Sequence, residues 1–157
     1  MPQTLVAPAD TMSSSAPSPV SRPTPTRRPE PQAVAFPEGI PGFEACRRFV
    51  LLASETFAPL PRIDAVEGPS ASFLCIDPRL VVPGYECALS RGDAGRLDVE
   101  DPSRLAWLAL VTVEMDGTVV ANLRAPIVIN PDRMLGRQVV PNDSRYPIRH
   151  VMVRPER

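Results

Sequence analysis

The chain has 157 residues, a formal net charge of −1 and 21 prolines, which leaves room for one ordinary domain and argues against tight nucleic-acid binding by it. No apolar run approaches the roughly 20 residues that cross a bilayer, and no basic stretch precedes the short apolar run near the start, so a cytoplasmic protein without a membrane partner is expected. The three cysteines, Cys46, Cys75 and Cys87, are an odd set without CxxC spacing, which excludes a disulfide framework or a zinc site as the expected reading.

Residues 1–33 carry prolines at positions 2, 8, 17, 19, 23, 25, 29 and 31, the run Ser13-Ser14-Ser15 and hardly any large apolar groups. Such a segment cannot bury enough apolar area to offset its ordering entropy, so a disordered tail is predicted, with polyproline II character around Pro23 to Pro31. The folded domain is then expected over residues 34–153.

That domain opens on Phe36-Pro37-Glu38-Gly39-Ile40-Pro41-Gly42-Phe43. Proline fixes φ near about −65° and glycine admits φ > 0, so Pro37, Gly39, Pro41 and Gly42 predict a compact double turn pinned by an aromatic ring at each end. None of these groups transfers a proton or holds a metal tightly, and a shaped surface without reactive groups points to recognition.

Short apolar runs follow in order. Arg48 to Ala53 and Ser72 to Asp77 predict buried strands, the second ended by Pro78, with a sharp change of direction at Pro83-Gly84. Ser90, followed by Asp93, gives the one capping pattern, and Gly92 and Gly95 make the helix it starts short and poor. Leu105 to Glu114 is the strongest strand, and Asp116-Gly117 predicts a type I′ hairpin into Thr118 to Leu123. Ala125-Pro126 breaks the line before Ile127 to Asn130, and Pro131-Asp132 and Gly136 turn the chain into Arg137 to Val140. Short strands about ten residues apart, with turn residues between them, predict an all-β fold: a small antiparallel barrel-like domain with at most one short helix.

Charge is uneven along the chain. Residues 38–116 carry a net −6 and residues 117–157 a net +4, and every basic residue is arginine. Two readings stay open: an asymmetry that steers a charged partner, or two signs that mix in space.

Chemistry is sparse. His150 is the one histidine. A hydrolase would need Ser144, His150 and an acid such as Asp143, without the sequence signature of a nucleophile turn. Asp77 and Asp143 as an acid–base pair are better explained as turn or capping residues. Phosphate loops, dinucleotide fingerprints and metal clusters are absent, so neither cofactor nor catalysis is expected. A nucleic-acid-binding barrel is the main alternative by fold pattern, and only residues 117–157 offer it a positive segment.

Four blocks resemble the flagellar assembly factor FliW family: Phe36 to Phe43; Phe49-Val50-Leu51-Leu52; Asn122-Leu123-Arg124-Ala125-Pro126-Ile127-Val128-Ile129-Asn130; and Asp143-Ser144-Arg145-Tyr146-Pro147-Ile148-Arg149-His150. The shorter Ile76-Asp77-Pro78 also fits, and the coverage runs from about Val34 to the C-terminus. The resemblance implies a small β-barrel-like regulator, non-catalytic, that binds flagellin in the cytosol and antagonises the dimeric RNA-binding repressor CsrA by switching partners. It also implies a monomer. Members of that family carry a strand or two with a Phe-Gly turn ahead of the first block, where this chain has its proline-rich tail, so an unpaired edge open to association is expected here. For partner contacts the resemblance directs attention to Glu38 and Glu44 in the double turn, to Asn122, Arg124 and Asn130 in the third block, and to Arg145 and Tyr146 in the fourth. The acidic segment 38–116 is the expected face toward a basic partner.

Overall fold

Short strands with alternating burial bend into a ring that closes on itself. The computed structural model describes residues 32–53, 56 and 60–156, so the expected tail over 1–33 lies, but for its last two positions, outside the described residues. The strands are β1 (Val34–Ala35), β2 (Arg48–Ala53), β3 (Pro61–Ala65), β4 (Ser72–Ile76), β5 (Ala106–Val113), β6 (Val119–Asn130), β7 (Leu135–Gln138) and β8 (His150–Val153). They hydrogen-bond in the order β5-β4-β3-β2-β1-β7-β6-β8, and a further β5–β6 pairing closes seven of them into a barrel with β8 attached outside β6. All pairings are antiparallel except the narrow contact of β1 with β7, a single register pair between Ala35 and Leu135.

Neighbouring residues of a strand point to opposite faces, and the clusters follow that rule. Inside the barrel lie Phe36, Ile40, Phe49, Ile63, Cys75, Leu108, Ile127 and Ile129. Ala109, Val111, Ala121 and Leu123 face outward and are covered with Tyr85, Val81 and Val82. A third cluster joins Leu97, Leu105, Val128 and Val139. The apolar residues of the third sequence block, Ile127, Val128 and Ile129, are all core.

The double turn is built as its residues dictate. Gly39 (φ 68°) and Gly42 (φ 88°) both occupy the left-handed region. Phe36 is fully buried and meets Phe49 edge to face at 4.9 Å, and Phe43, 41% exposed, meets Phe73 in the same way at 4.9 Å.

Helix enters twice rather than once. α2 (Arg91–Arg96) is the expected one, with Ser90 Oγ accepting from the Asp93 amide at 3.1 Å. α1 (Pro78–Val81) is a single turn where Leu80 to Val82 reads as apolar chain; Asp77 caps it and proline stands at its start. A 3-10 turn covers Pro102–Arg104. Three strands are also silent in the sequence. β1, directly ahead of the double turn, pairs with both β2 and β7, so the unpaired edge expected there is corrected to a filled seam of the barrel. β3 begins with proline and buries only Ile63 deeply, and β8 lacks a buried residue. Among the described residues no helix is long and apolar enough to cross a membrane.

The hairpin at Asp116-Gly117 forms, but its turn is not type I′. Only Gly117 has positive φ (88°), and its amide donates to the Glu114 carbonyl at 2.9 Å while Glu114 N donates to Thr118 O at 2.8 Å. That is a three-residue loop ending in a left-handed glycine, which matches strand twist by a bulge.

Pro126 does not break the strand either. Along β5 and β6 the register passes from Leu108↔Ile127 to Leu110↔Asn122, so the four residues Leu123, Arg124, Ala125 and Pro126 stand opposite Ala109 alone. Within such a bulge the missing proline N–H is not needed by the ladder. One side of β6 then serves two partners, β8 at Val119–Ala121 and β7 at Ile127–Asn130.

Candidate partner-binding surface

The β6 bulge is held by its own sequence block. Asn122 Oδ1 accepts from the amides of Arg124 and Ala125, both at 3.1 Å. Gln138 Nε2 donates to Ala125 O at 3.0 Å, and Val139 N donates to Pro126 O at 2.9 Å. Tyr85 Oη donates to Leu123 O at 2.7 Å from a buried position, where desolvation pushes its phenol up. The fourth block lies across this bulge, with Leu123 N donating to Pro147 O at 3.1 Å and Arg124 Nε donating to Tyr146 O at 3.0 Å.

Of the expected contact residues, Arg124 and Arg145 are exposed, and Tyr146 is half-buried. The Tyr146 ring lies 4.4 Å from that of Tyr85, and its hydroxyl accepts from the Glu86 amide at 3.0 Å. Tyr146 therefore braces the loop and lines a cleft at the same time. Glu38 and Glu44 are exposed in the double turn, on a separate block of sequence. Glu44 accepts from the Gly42 amide at 2.9 Å, which holds its carboxyl below the usual range. Glu38 pairs with Arg96 at 3.3 Å and with Arg137. Two members of the set are structural. Asn122 folds its side chain back on the bulge. Asn130, 4% exposed, donates to Leu97 O at 2.8 Å and Asp98 O at 3.1 Å and accepts from Asp132 N at 3.1 Å. With its amide so engaged and no surface to offer, Asn130 is corrected from a contact to a core hydrogen-bonding residue. Asn122→Ala should leave two amides without their acceptor and cost about 1–2 kcal/mol, read as a lower denaturant midpoint at unchanged m-value.

A cleft of about 620 Å³ runs between residues 84–90 and 140–146. Glu86, Leu89, Val140, Asp143, Arg145 and Tyr146 are among its lining. Cys87 sits there too, half-buried, its thiol pushed up by desolvation, while Cys46 and Cys75 are buried and burial pushes Cys75 up to about 12.

The charge asymmetry of the sequence dissolves on folding. Acids of the first segment meet arginines of the second: Asp93 and Glu38 with Arg137, Asp98 and Glu100 with Arg133, and Glu114 with Arg149. Arg104 and Asp132 make the reverse pair at 2.7 Å. The two signs mix in space, so a single acidic face built from 38–116 is corrected to a mosaic of local pairs, and Arg133, Arg137 and Arg149 are removed from any positive face for nucleic acid. Glu86 and Asp143 are different: among the described residues neither has an arginine or hydrogen-bond partner for its carboxylate, and both line the cleft.

Ser144 and His150 are not joined as a catalytic pair. Ser144 Oγ accepts from Tyr146 N at 3.3 Å, His150 lies in β8 opposite Ala121, and no hydrogen bond joins the two among the described residues. Asp77 caps α1 and binds Arg79 at 2.7 Å, the capping role its sequence position suggests.

The architecture is thus a closed β-barrel with a bulged strand, a loop folded over it and a mixed-charge cleft beside that loop. The family model described as FliW protein matches residues 21–152. The chain is 35% identical over 120 residues to the flagellar assembly factor FliW of Geotalea uraniireducens, covering 76% of this chain and 73% of that protein. It is 36% identical over 119 residues to that of Natranaerobius thermophilus, covering 74% and 79%. A crystal structure of a flagellar assembly factor FliW superposes with a TM-score of 0.70 at 34% identity, covering 76% of this chain and 84% of the other. The chain belongs to the FliW family of flagellar assembly factors.

Proposed function

We propose that this protein is a non-catalytic, partner-switching regulator of flagellar assembly. It binds flagellin in the cytosol and, when flagellin is exported, turns to CsrA and relieves translational repression, acting as a monomer. The observation that carries this reading is the third sequence block in three dimensions: Asn122 to Pro126 form a bulge that seven hydrogen bonds brace and that holds Arg124 at the surface, bonded to Tyr146 of the cleft. Bulges of this kind re-aim side chains at binding sites. Two partners competing for one protein need no chemistry, since each lowers the free concentration available to the other.

Calorimetric titration of the full chain with flagellin and, separately, with CsrA tests it. Binding to both is expected, and the CsrA affinity should fall only modestly as salt rises, because most charges are already paired locally. Binding to neither would defeat the reading.

A further inference from the structure

The cleft between residues 84–90 and 140–146 combines three features. Its first wall holds backbone groups without partners: Cys87, Ala88 and Leu89 make no backbone hydrogen bond among the described residues, although they lie between an element-capping serine and a tyrosine-anchored turn. Unpaired N–H and C=O groups at an accessible rim are a template for a further segment of chain. Its apolar contacts are Leu89, Val140 (63% exposed) and the Tyr146 ring, enough to seat one or two side chains. Its carboxylates outnumber its free arginine: of the described carboxylates, only Glu86, Asp143 and Glu156 have no partner among the described residues, and two of those three line this one cleft. Arg145 is the one arginine in the lining, against Glu86, Asp143 and an Asp93 already bound to Arg137 at 2.7 Å.

We infer that this cleft receives a basic segment of a partner protein, its backbone pairing along Cys87–Leu89, an apolar side chain resting on Tyr146 and Val140, and an arginine or lysine reaching Glu86 and Asp143. An acidic segment is disfavoured by the same two carboxylates. The inference deepens the partner-binding reading above and rests on it only in taking a protein as the occupant, not on either named partner.

The test uses amide chemical-shift mapping on the isotope-labelled full chain with two probes: a short capped peptide alternating valine and arginine, and its counterpart with glutamate in place of arginine. The arginine peptide should shift the amides of 86–89 and 140–146, and the glutamate peptide should bind about tenfold more weakly. In the E86R/D143R variant, whose remaining spectrum reports that the fold is kept, the order of preference should invert. Shifts centred elsewhere, equal response to both peptides, or a preference unchanged in the variant would each overturn the inference. None of these outcomes depends on flagellin or CsrA, so the failure of this inference and the failure of the partner-switching reading are seen separately.

Discussion

Phe36→Ala is expected to destabilise the protein by about 3–5 kcal/mol, because the ring is fully buried inside the barrel and its removal leaves a cavity that rigid strands cannot close. For a domain of this size that lowers the thermal midpoint by about 10 °C or more, measurable by circular dichroism. The ring also closes the barrel at its narrowest seam: β1, which it follows directly, meets β7 by a single register pair, and Gly136 of β7 lies against the ring. A Cβ at Gly136 would stand 2.4 Å from Phe36 Cζ and within 2.9 Å of two more ring atoms. Gly136→Ala alone should therefore cost about 3 kcal/mol by overpacking. Added to Phe36→Ala it should be nearly neutral, since the new methyl enters vacated space, and the cycle should return a coupling of about 3 kcal/mol. Additive losses would mean that the glycine is required for some other reason than the ring.

The second large effect is in the double turn, where two glycines of similar conformation differ in surroundings. Gly39 (φ 68°) would place a Cβ 2.6 Å from the Glu44 Cα and 3.0 Å from its carbonyl oxygen, backbone atoms that cannot step aside cheaply. Gly42 (φ 88°) would place one in open space. Gly39→Ala should thus combine left-handed strain with a backbone clash for about 3 kcal/mol, while Gly42→Ala carries the strain alone, about 1 kcal/mol. Equal losses in chemical denaturation would contradict this geometry.

Much of the fold is legible in the sequence where local chemistry decides it. Arg48 to Ala53 needs only its apolar run to be a strand, and Ser90 with Asp93 suffices to start α2. The double turn follows from Pro37, Gly39, Pro41 and Gly42. What escapes is set by tertiary pairing. β3 and β8 have no apolar alternation of their own and exist because β2, β4 and β6 present open edges to them. Pro126 looks like a strand end because the rule against proline assumes an unbulged ladder, and the bulge appears only when β5 and β6 are aligned. The site divides in the same way. Arg124, Arg145 and Tyr146 are where polar groups beside rigid backbone suggest. Asn130 looks equally available in sequence, and its burial depends on Leu97 and Asp98, more than thirty positions away. Glu86 and Asp143 carry no local signal. Their distinction is the partner each lacks among the described residues, which can be known only once folding has paired the carboxylates around them.

Of all the claims, partner switching reaches furthest into function, and competition tests it most directly. A preformed complex of this protein with fluorescently labelled CsrA, titrated with flagellin, should release CsrA in proportion to the flagellin bound. A stable ternary complex with CsrA retained at saturating flagellin would contradict mutual exclusion.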